Sequence, residues 1–219
     1  YYPGEIDYDP KLVSIVNIDI EVAADEGFPN IQTADKEITA ITMKKDDIYV
    51  VLGCGEFTTD DPRVKYMKCK DEAELLIKFL DVWRSKWFSP DIVTGWNIEF
   101  FDIPYIVNRI KRILGNRMAK KLSPWELLEE RTITIAGRDN QVYIPTGLAL
   151  LDYMQMYRKF TFVMQESYRL DHIANIELGE RKLDYSEYEG LFDLYKRNYQ
   201  MFIEYNIRDV DLVNRLDEK

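Results

Sequence analysis

Cysteine and histidine are scarce in this chain. Its 219 residues hold two cysteines, Cys54 and Cys69, and one histidine, His172. Two cysteines give no disulfide framework and no zinc-ligand cluster, and they suit a reducing cytoplasm. One histidine excludes multi-histidine metal sites and leaves little basis for a Ser-His-Asp triad. His172 itself reads as an ordinary helix residue. Positive charge is also short: the net charge is −10. That argues against a protein that coats nucleic acid by bulk attraction. It leaves open an enzyme that meets phosphate through bound metal ions. No apolar run approaches the roughly 18 to 20 residues that cross a bilayer, and no signal-peptide pattern is present. Repeats, low-complexity tracts and Gly-rich phosphate loops are absent. The chain opens on YYPGEIDYDP without an initiator Met, which reads as a fragment of something longer. On that reading residues 1–12 connect and residues 13–219 form the domain.

What is present is core-forming material, with hydrophobic residues at 46%. Strand-like segments come first: LVSIVNIDIEV, EITAITM, IYVVLG and VKYMKC, at spacings that suggest a meander. An amphipathic helix follows in DEAELLIKFLDVWRSKW, with Ala73, Leu76, Ile77, Leu80, Trp83 and Trp87 on its apolar face. Asp71 with Glu74 forms a capping-box pattern at its start. DIVTGWN is a short strand, and DIPYIVNRIKRILG is a helix with Ile106, Val107, Ile110, Ile113 and Leu114 inward, stopped by Gly115. TITIA and VYIP flank GRDNQ as a hairpin insertion. LALLDYMQMYRKF passes from strand to helix, SYRLDHIANIELG is a short helix, and a long helix runs from about Tyr199 to Leu216. The order predicts an α/β fold, a mixed sheet flanked by helices.

Three segments carry acids where acids are unexpected. In IVNIDIEV (15–22) alternation puts Val16, Ile18, Ile20 and Val22 on one face and Asn17, Asp19 and Glu21 on the other. A solvated edge strand would explain the acids simply. The flanking apolar run marks the strand as central instead, and buried carboxylates need partners. A divalent metal is the strongest partner, and oxygen ligands suit Mg²⁺ or Mn²⁺. In TGWNIEFFDIPY (94–105) Asp102 stands at a strand–helix joint, where it caps the helix, binds metal, or does both. Asn97 lies at the strand's carboxyl end, a usual place for ligand contacts. In EYNIRDVDLV (204–213) Tyr205 and Asp209 share a helix face with Leu212 and Leu216. Glu204, Arg208, Asp211 and Arg215 form a separate solvent-type stripe.

Asp-x-Glu in a first strand, Asn-x-x-x-Phe-Asp at a joint, and Tyr-x-x-x-Asp on a late helix occur in order. They are Asp19/Glu21, Asn97/Phe101/Asp102 and Tyr205/Asp209. This set resembles the 3′→5′ proofreading exonuclease domain of family B DNA polymerases, a ribonuclease-H-like fold, from about residue 12 to the end. EGFPN (26–30), LLDYMQMYRKF (150–160) and SYRLDHIANIELGERKLDY (167–185) resemble the polymerases of T-even-like phages. The polymerase signatures of the family, an S-L-Y-P-S type motif and a D-T-D motif, are absent.

The resemblance implies removal of mispaired deoxynucleotides from a primer 3′ end by hydrolysis with two divalent ions, Mg²⁺ or Mn²⁺. It implies that Asp19 bridges both ions, that Glu21 and Asp209 complete one site, and that Asp102 serves the other. Tyr205 would orient the attacking water, its ordinary pKa of about 10 suiting a hydrogen bond better than a bulk base. Lys182, in GERKLDY, is either a support for the scissile phosphate or a surface lysine. Phe28 is either a base-stacking platform or a hydrophobic plug. Phe101 either wedges near the terminal nucleotides or packs in the core. Arg109, Lys111, Arg112, Arg117, Lys120 and Lys121 guide DNA, face another polymerase domain, or line a solvated helix face. Implied partners are a single-stranded DNA 3′ end and the remaining polymerase domains. No membrane is implied, the isolated domain is expected to be monomeric, and the location is the host bacterium's cytoplasm if the source is a phage. The competing function is a catalytically silent ribonuclease-H-like module that binds nucleic acid or acts as a scaffold.

Overall fold

In a computed structural model, which describes residue 9 and residues 12–219 except 26 and 136, the acid-bearing strand β1 (Ile15–Val22) is central. It lies between β2 (Ile38–Lys45) and β5 (Ile92–Gly95) in a sheet ordered β4-β3-β2-β1-β5-β8. β3 is Ile48–Gly53, β4 is Val64–Lys68 and β8 is Ala149–Asp152. The edge-strand explanation of Asp19 and Glu21 therefore fails. Most of the 1–12 connecting segment lies outside the described residues, and the strand begins at Ile15 rather than Leu12.

β2 runs antiparallel to both β1 and β3, but β4 pairs parallel to β3. The expected meander thus breaks at its last strand. The 54–63 connection does not turn tightly. Thr58 exchanges two backbone hydrogen bonds with the Gln200 side chain, at 3.1 and 2.9 Å. The chain then returns to the start of β3, where the Tyr49 N–H donates to the Arg63 carbonyl. β5 and β8 extend the other side in parallel.

Helices cover both faces. α1 (Glu72–Trp83) and α2 (Asp102–Ile113) pack on Val16, Ile18, Ile20, Ile41 and Met43. The α1 cap is as expected: Asp71 accepts from the Glu74 N–H at 2.9 Å. The Glu74 carboxylate reaches back one residue further than a capping box requires, to the Lys70 N–H. The buried face of α1 is Leu75, Leu76, Phe79, Leu80 and Trp83, while Ile77 is exposed and Trp87 lies beyond the helix. The apolar stripe is rotated from the expected one because Phe79 and Leu75, not Ile77, face the sheet. Gly115 ends α2 as read, with φ +89°; Ile113, expected inward, is exposed.

α3 (Asn116–Ala119) and a 3₁₀ turn, Lys120–Leu122, lead to a separate hairpin of β6 (Leu128–Ile135) and β7 (Arg138–Pro145). Ile135 pairs with Arg138, so the turn takes in Gly137 and most of GRDNQ is strand. The hairpin's β6 is almost wholly exposed, while β7 buries Val142 and Tyr143. α4 (Tyr153–Phe160), α5 (Leu170–Leu178), α6 (Leu191–Arg197) and α7 (Tyr199–Asp217) follow. α7 crosses the second face of the sheet, where Phe202, Ile203 and Val210 meet Ala40, Tyr49 and Val51.

The basic run divides in the fold. Arg109 neither guides DNA nor faces solvent. It is buried and grips Glu72 with two bonds of 2.6 Å, joining α2 to α1. Lys111 donates to Tyr143 and Glu130 of the hairpin, while Arg117 and Lys120 are exposed. Arg109→Ala strands a buried carboxylate and is expected to cost about 3–5 kcal/mol. Urea unfolding of the variant checks this, and a loss under about 1 kcal/mol would contradict it.

Candidate active site

The site forms where β1 and β5 part. Their parallel pairing ends at Asn17↔Thr94. Close packing fixes this point: a Cβ on Gly95 would lie 2.4 Å from the Ile18 carbonyl oxygen. Beyond it the Ile20 N–H has no strand partner on that side and donates to Asp102 Oδ1 at 3.1 Å. Asp102 is the first residue of α2, and no side chain caps that helix. The carboxylate is thus tied to β1 rather than spent on its own helix. Asp152, at the end of β8, accepts from the Asn97, Glu99 and Gln155 N–H groups. It holds the 96–101 loop, in which Asn97 takes a left-handed conformation (φ +65°).

On the other edge of β1 a bulge falls at Glu21/Val22, where Glu21 pairs with Ala40 but Val22 with Ile38. Thr39 is the extra residue, and its hydroxyl donates to the Glu21 carbonyl. The bulge ends the alternation just after Glu21, as bulges beside functional sites do. It turns Ile38 into the core under α1 while Ala40 faces α7.

α7 completes the site from above. Asp19, Glu21 and Asp209 offer carboxylate oxygens that all lie within 4.8 Å of one another. Asp209 Oδ2 accepts from Lys182 Nζ, while its Oδ1 is buried without a hydrogen-bond partner. Lys182 Nζ also lies 3.2 Å from the Tyr205 hydroxyl. Asn206, a turn before Asp209, donates to Asp19 Oδ2 at 2.6 Å and accepts from the Thr42 hydroxyl. Thr42 stands opposite Asp19 across the sheet.

Burial dominates the electrostatics. It pushes Asp19 well above the usual carboxylate range, and the charges of Asp102, Asp209 and Glu21 push it further. Burial and then Asp209 do the same to Glu21. Burial lifts Asp209 against the pull of Lys182, and lifts Asp102 to about 7 against the Ile20 N–H. Tyr205 is raised by burial and then by Asp209. Burial lowers Lys182, but Asp209 outweighs it and the ammonium is held above its ordinary value. Among the described residues, Lys182 is the cation bonded within this set of four acids. Oxygen-only donors, mutual repulsion and an unpartnered buried oxygen fit a hard divalent cation, and this acidic cluster is a place that could hold one.

One cavity of about 460 Å³ gathers most of the expected residues: Asp19, Phe28, Asn97, Phe101, Lys182 and Tyr205 line it. Phe28 is 75% exposed, which excludes the plug, and its ring meets Phe101 at 4.9 Å between centroids. Phe101 is half-buried and also packs on Tyr105. His172 sits on α5 and is not among the lining side chains. Lys182 is no free surface lysine. Sequence reasoning missed Asn206, Thr42 and Asp152. Asn206 carried one usable signal, an amide three residues before Asp209 on the packed side of its helix.

A mixed sheet with helices on both faces and an acid cluster between its central strand and α7 is a ribonuclease-H-like exonuclease fold. The chain belongs to the DNA polymerase family B exonuclease domain family, whose model matches residues 4–173. It is thereby a nuclease domain, a hydrolase of DNA. The match takes in Asp19, Glu21, Asn97 and Asp102 and stops short of Lys182, Tyr205 and Asp209. The DNA-directed DNA polymerase of Escherichia phage RB69 is 36% identical over 246 aligned positions, covering 100% of this chain and 27% of that protein. That of Enterobacteria phage T4 is 35% identical over 244, covering 99% and 27%. The DNA polymerase catalytic subunit of Human herpesvirus 8 type P is 27% identical over 210, covering 90% and 20%. The chain thus spans about a quarter of the length of the phage relatives, and the likeness to T-even-like phage polymerases holds along it. Among the described residues no helix is long and apolar enough to cross a membrane.

Proposed function

We propose that this domain shortens DNA from its 3′ end and removes mispaired deoxynucleotides, as the proofreading part of a longer DNA-directed DNA polymerase. The observation that carries this reading is the convergence of Asp19, Glu21 and Asp209 beside the cavity lined by Tyr205, Lys182 and Phe28. Asp19, Glu21, Asp102 and Asp209 would hold two divalent ions, Mg²⁺ or Mn²⁺. When bound, such ions offset the charge of the scissile phosphate and favour ionisation of an attacking water.

The chain's own residues supply the rest. Tyr205 orients the attacking water by a hydrogen bond; its raised pKa keeps it a phenol. Lys182 holds the Tyr205 hydroxyl and Asp209 in place and presents positive charge toward the phosphate. Phe28 offers an exposed ring on which a terminal base stacks, and Phe101 backs it. Asn97 meets the strand from the cavity wall. Asn206 fixes Asp19 from α7. Substrate enters as a single strand, and mispaired ends are preferred because unpairing them costs less. The acidic net charge is compatible with cleavage of DNA that is not tightly held. Residues 13–219 act as the exonuclease domain, monomeric when isolated. Further polymerase domains deliver the primer, in the cytoplasm of a bacterial host.

A 5′-labelled single-stranded oligodeoxynucleotide tests the reading. With Mg²⁺ or Mn²⁺ the chain is expected to yield a ladder shortening from the 3′ end, and none with EDTA. A folded chain that binds the oligonucleotide but leaves it intact with either metal would replace this reading with a silent binding module.

A further inference from the structure

Lys182 comes from a stretch with no regular structure, between the end of α5 and the start of α6. A long side chain on such a stretch loses considerable freedom when fixed. The restraint comes from several directions. Gly179 closes α5 in a left-handed conformation. The next residue, Glu180, receives two guanidinium groups of α7 on one oxygen: Arg208 at 2.5 Å, and Arg215. Arg208 is fixed in turn by Asp211 at 3.0 Å, and Asp211 accepts from the Tyr49 hydroxyl of β3 at 2.9 Å. Arg181 bonds the Asn175 side chain, and the Lys182 N–H donates to Asp171 at 2.9 Å.

The sequence explains the arrangement. Arg208 and Arg215 are seven residues apart, two turns of α7, and share a stripe. Tyr205 and Asp209 lie on the neighbouring stripe of the same helix. One helix thus carries the groups that Lys182 must reach and the arginines that hold its backbone two residues away. The stripe expected to be a solvated face is instead a clamp.

We propose that Glu180, gripped by Arg208 and Arg215, is a positioning residue that sets Lys182 against Tyr205 and Asp209. Only the kinetic part of this rests on the nuclease reading. The isosteric Glu180→Gln removes the charge that holds both guanidinium groups. Freed of it, the 180–182 backbone samples other paths and the Lys182 ammonium loses its fixed partners.

Two readouts test this on the full chain. The first needs no nuclease activity: the side-chain ¹⁵N–¹H correlation of Lys182, recorded metal-free and assigned by its loss in Lys182→Arg. An ammonium ordered by Asp209 and Tyr205 gives a cross-peak. Glu180→Gln is expected to erase it with little change in melting temperature, and Glu129→Gln, which breaks the hairpin's Arg131 pair, to leave it. Arg215→Gln, which removes one of the two donors, serves if Glu180→Gln does not fold. The second is a rate cycle. Glu180→Gln is expected to lower kcat about tenfold with KM unchanged, and to cost nothing further in a Lys182→Ala background. An unchanged cross-peak in folded Glu180→Gln, no cross-peak in the wild type, or additive rate losses would each overturn the proposal. A wild type that shows the cross-peak and its loss but no cleavage would sink the nuclease reading and keep the positioning role.

Discussion

Asp19→Ala is expected to lower 3′ cleavage by at least about 10³-fold, the scale on which loss of a central electrostatic group acts. Asp19 lies between the other acids. Its oxygens are within reach of Glu21 and Asp209, and the charge of Asp102 raises its pKa more than any other neighbour's. Stability should move little, because two effects oppose. Loss of Asp19 leaves the Asn206 amide without its acceptor, at about 1–3 kcal/mol. It also removes a buried charge that the metal-free fold accommodates poorly. Gel analysis at single turnover, with circular dichroism to establish folding, measures both. A folded variant within about tenfold of wild type would remove Asp19 from the chemistry.

The second large effect is on stability against pH. Asp19, Glu21, Asp102 and Asp209 all have folded-state pKa values raised above the unfolded carboxylate value of about 4. In the intervening range the folded chain binds more protons than the unfolded one, so stability falls as pH rises. The contribution is intact below about pH 4. It is lost as pH rises through the folded values, about 7 for Asp102. Acids pulled the other way, such as Asp61 at about 2 beside Arg63, act only at the acid end. The metal-free chain should therefore melt several degrees lower at pH 8 than at pH 5.5. Divalent ions bind the deprotonated acids, so Mn²⁺ should raise the melting temperature more at pH 8 than at pH 5.5. A melting temperature in EDTA that is flat or rises over that range would contradict the burial of these charges.

Much of the site was legible because the chemistry violates local preference. Acids inside an apolar strand and on the packed side of a helix are costly, so Asp19, Glu21 and Asp209 stood out against their neighbours. Asp102 stood out by its place at a joint. The partners that make these acids tolerable were not legible. Asn206 and Thr42 are ordinary polar residues until the fold brings them to Asp19. Arg208 and Arg215 look like solvent residues until Glu180 meets them from another segment. Arg109 looked like part of a basic face, yet its charge goes to Glu72 on a helix that sequence places far away. In the fold, α1, α2, α4, α5, α7 and the central strands were readable from periodicity, while the short helices α3 and α6 were not. The direction of β4 depends on where a loop is anchored, to Gln200; the hairpin itself was readable from TITIA and VYIP, and only its bounds differ, with most of GRDNQ in β7.

Electron paramagnetic resonance at neutral pH counts the Mn²⁺ ions bound by the wild-type chain and by Asp19→Asn. Two bound ions are expected in the wild type and a loss of tight binding in the variant, which keeps the shape of the side chain and removes its charge. A wild type that binds no Mn²⁺, or an Asp19→Asn chain that binds it equally well, would contradict the central claim that this acid cluster is a metal-dependent nuclease site.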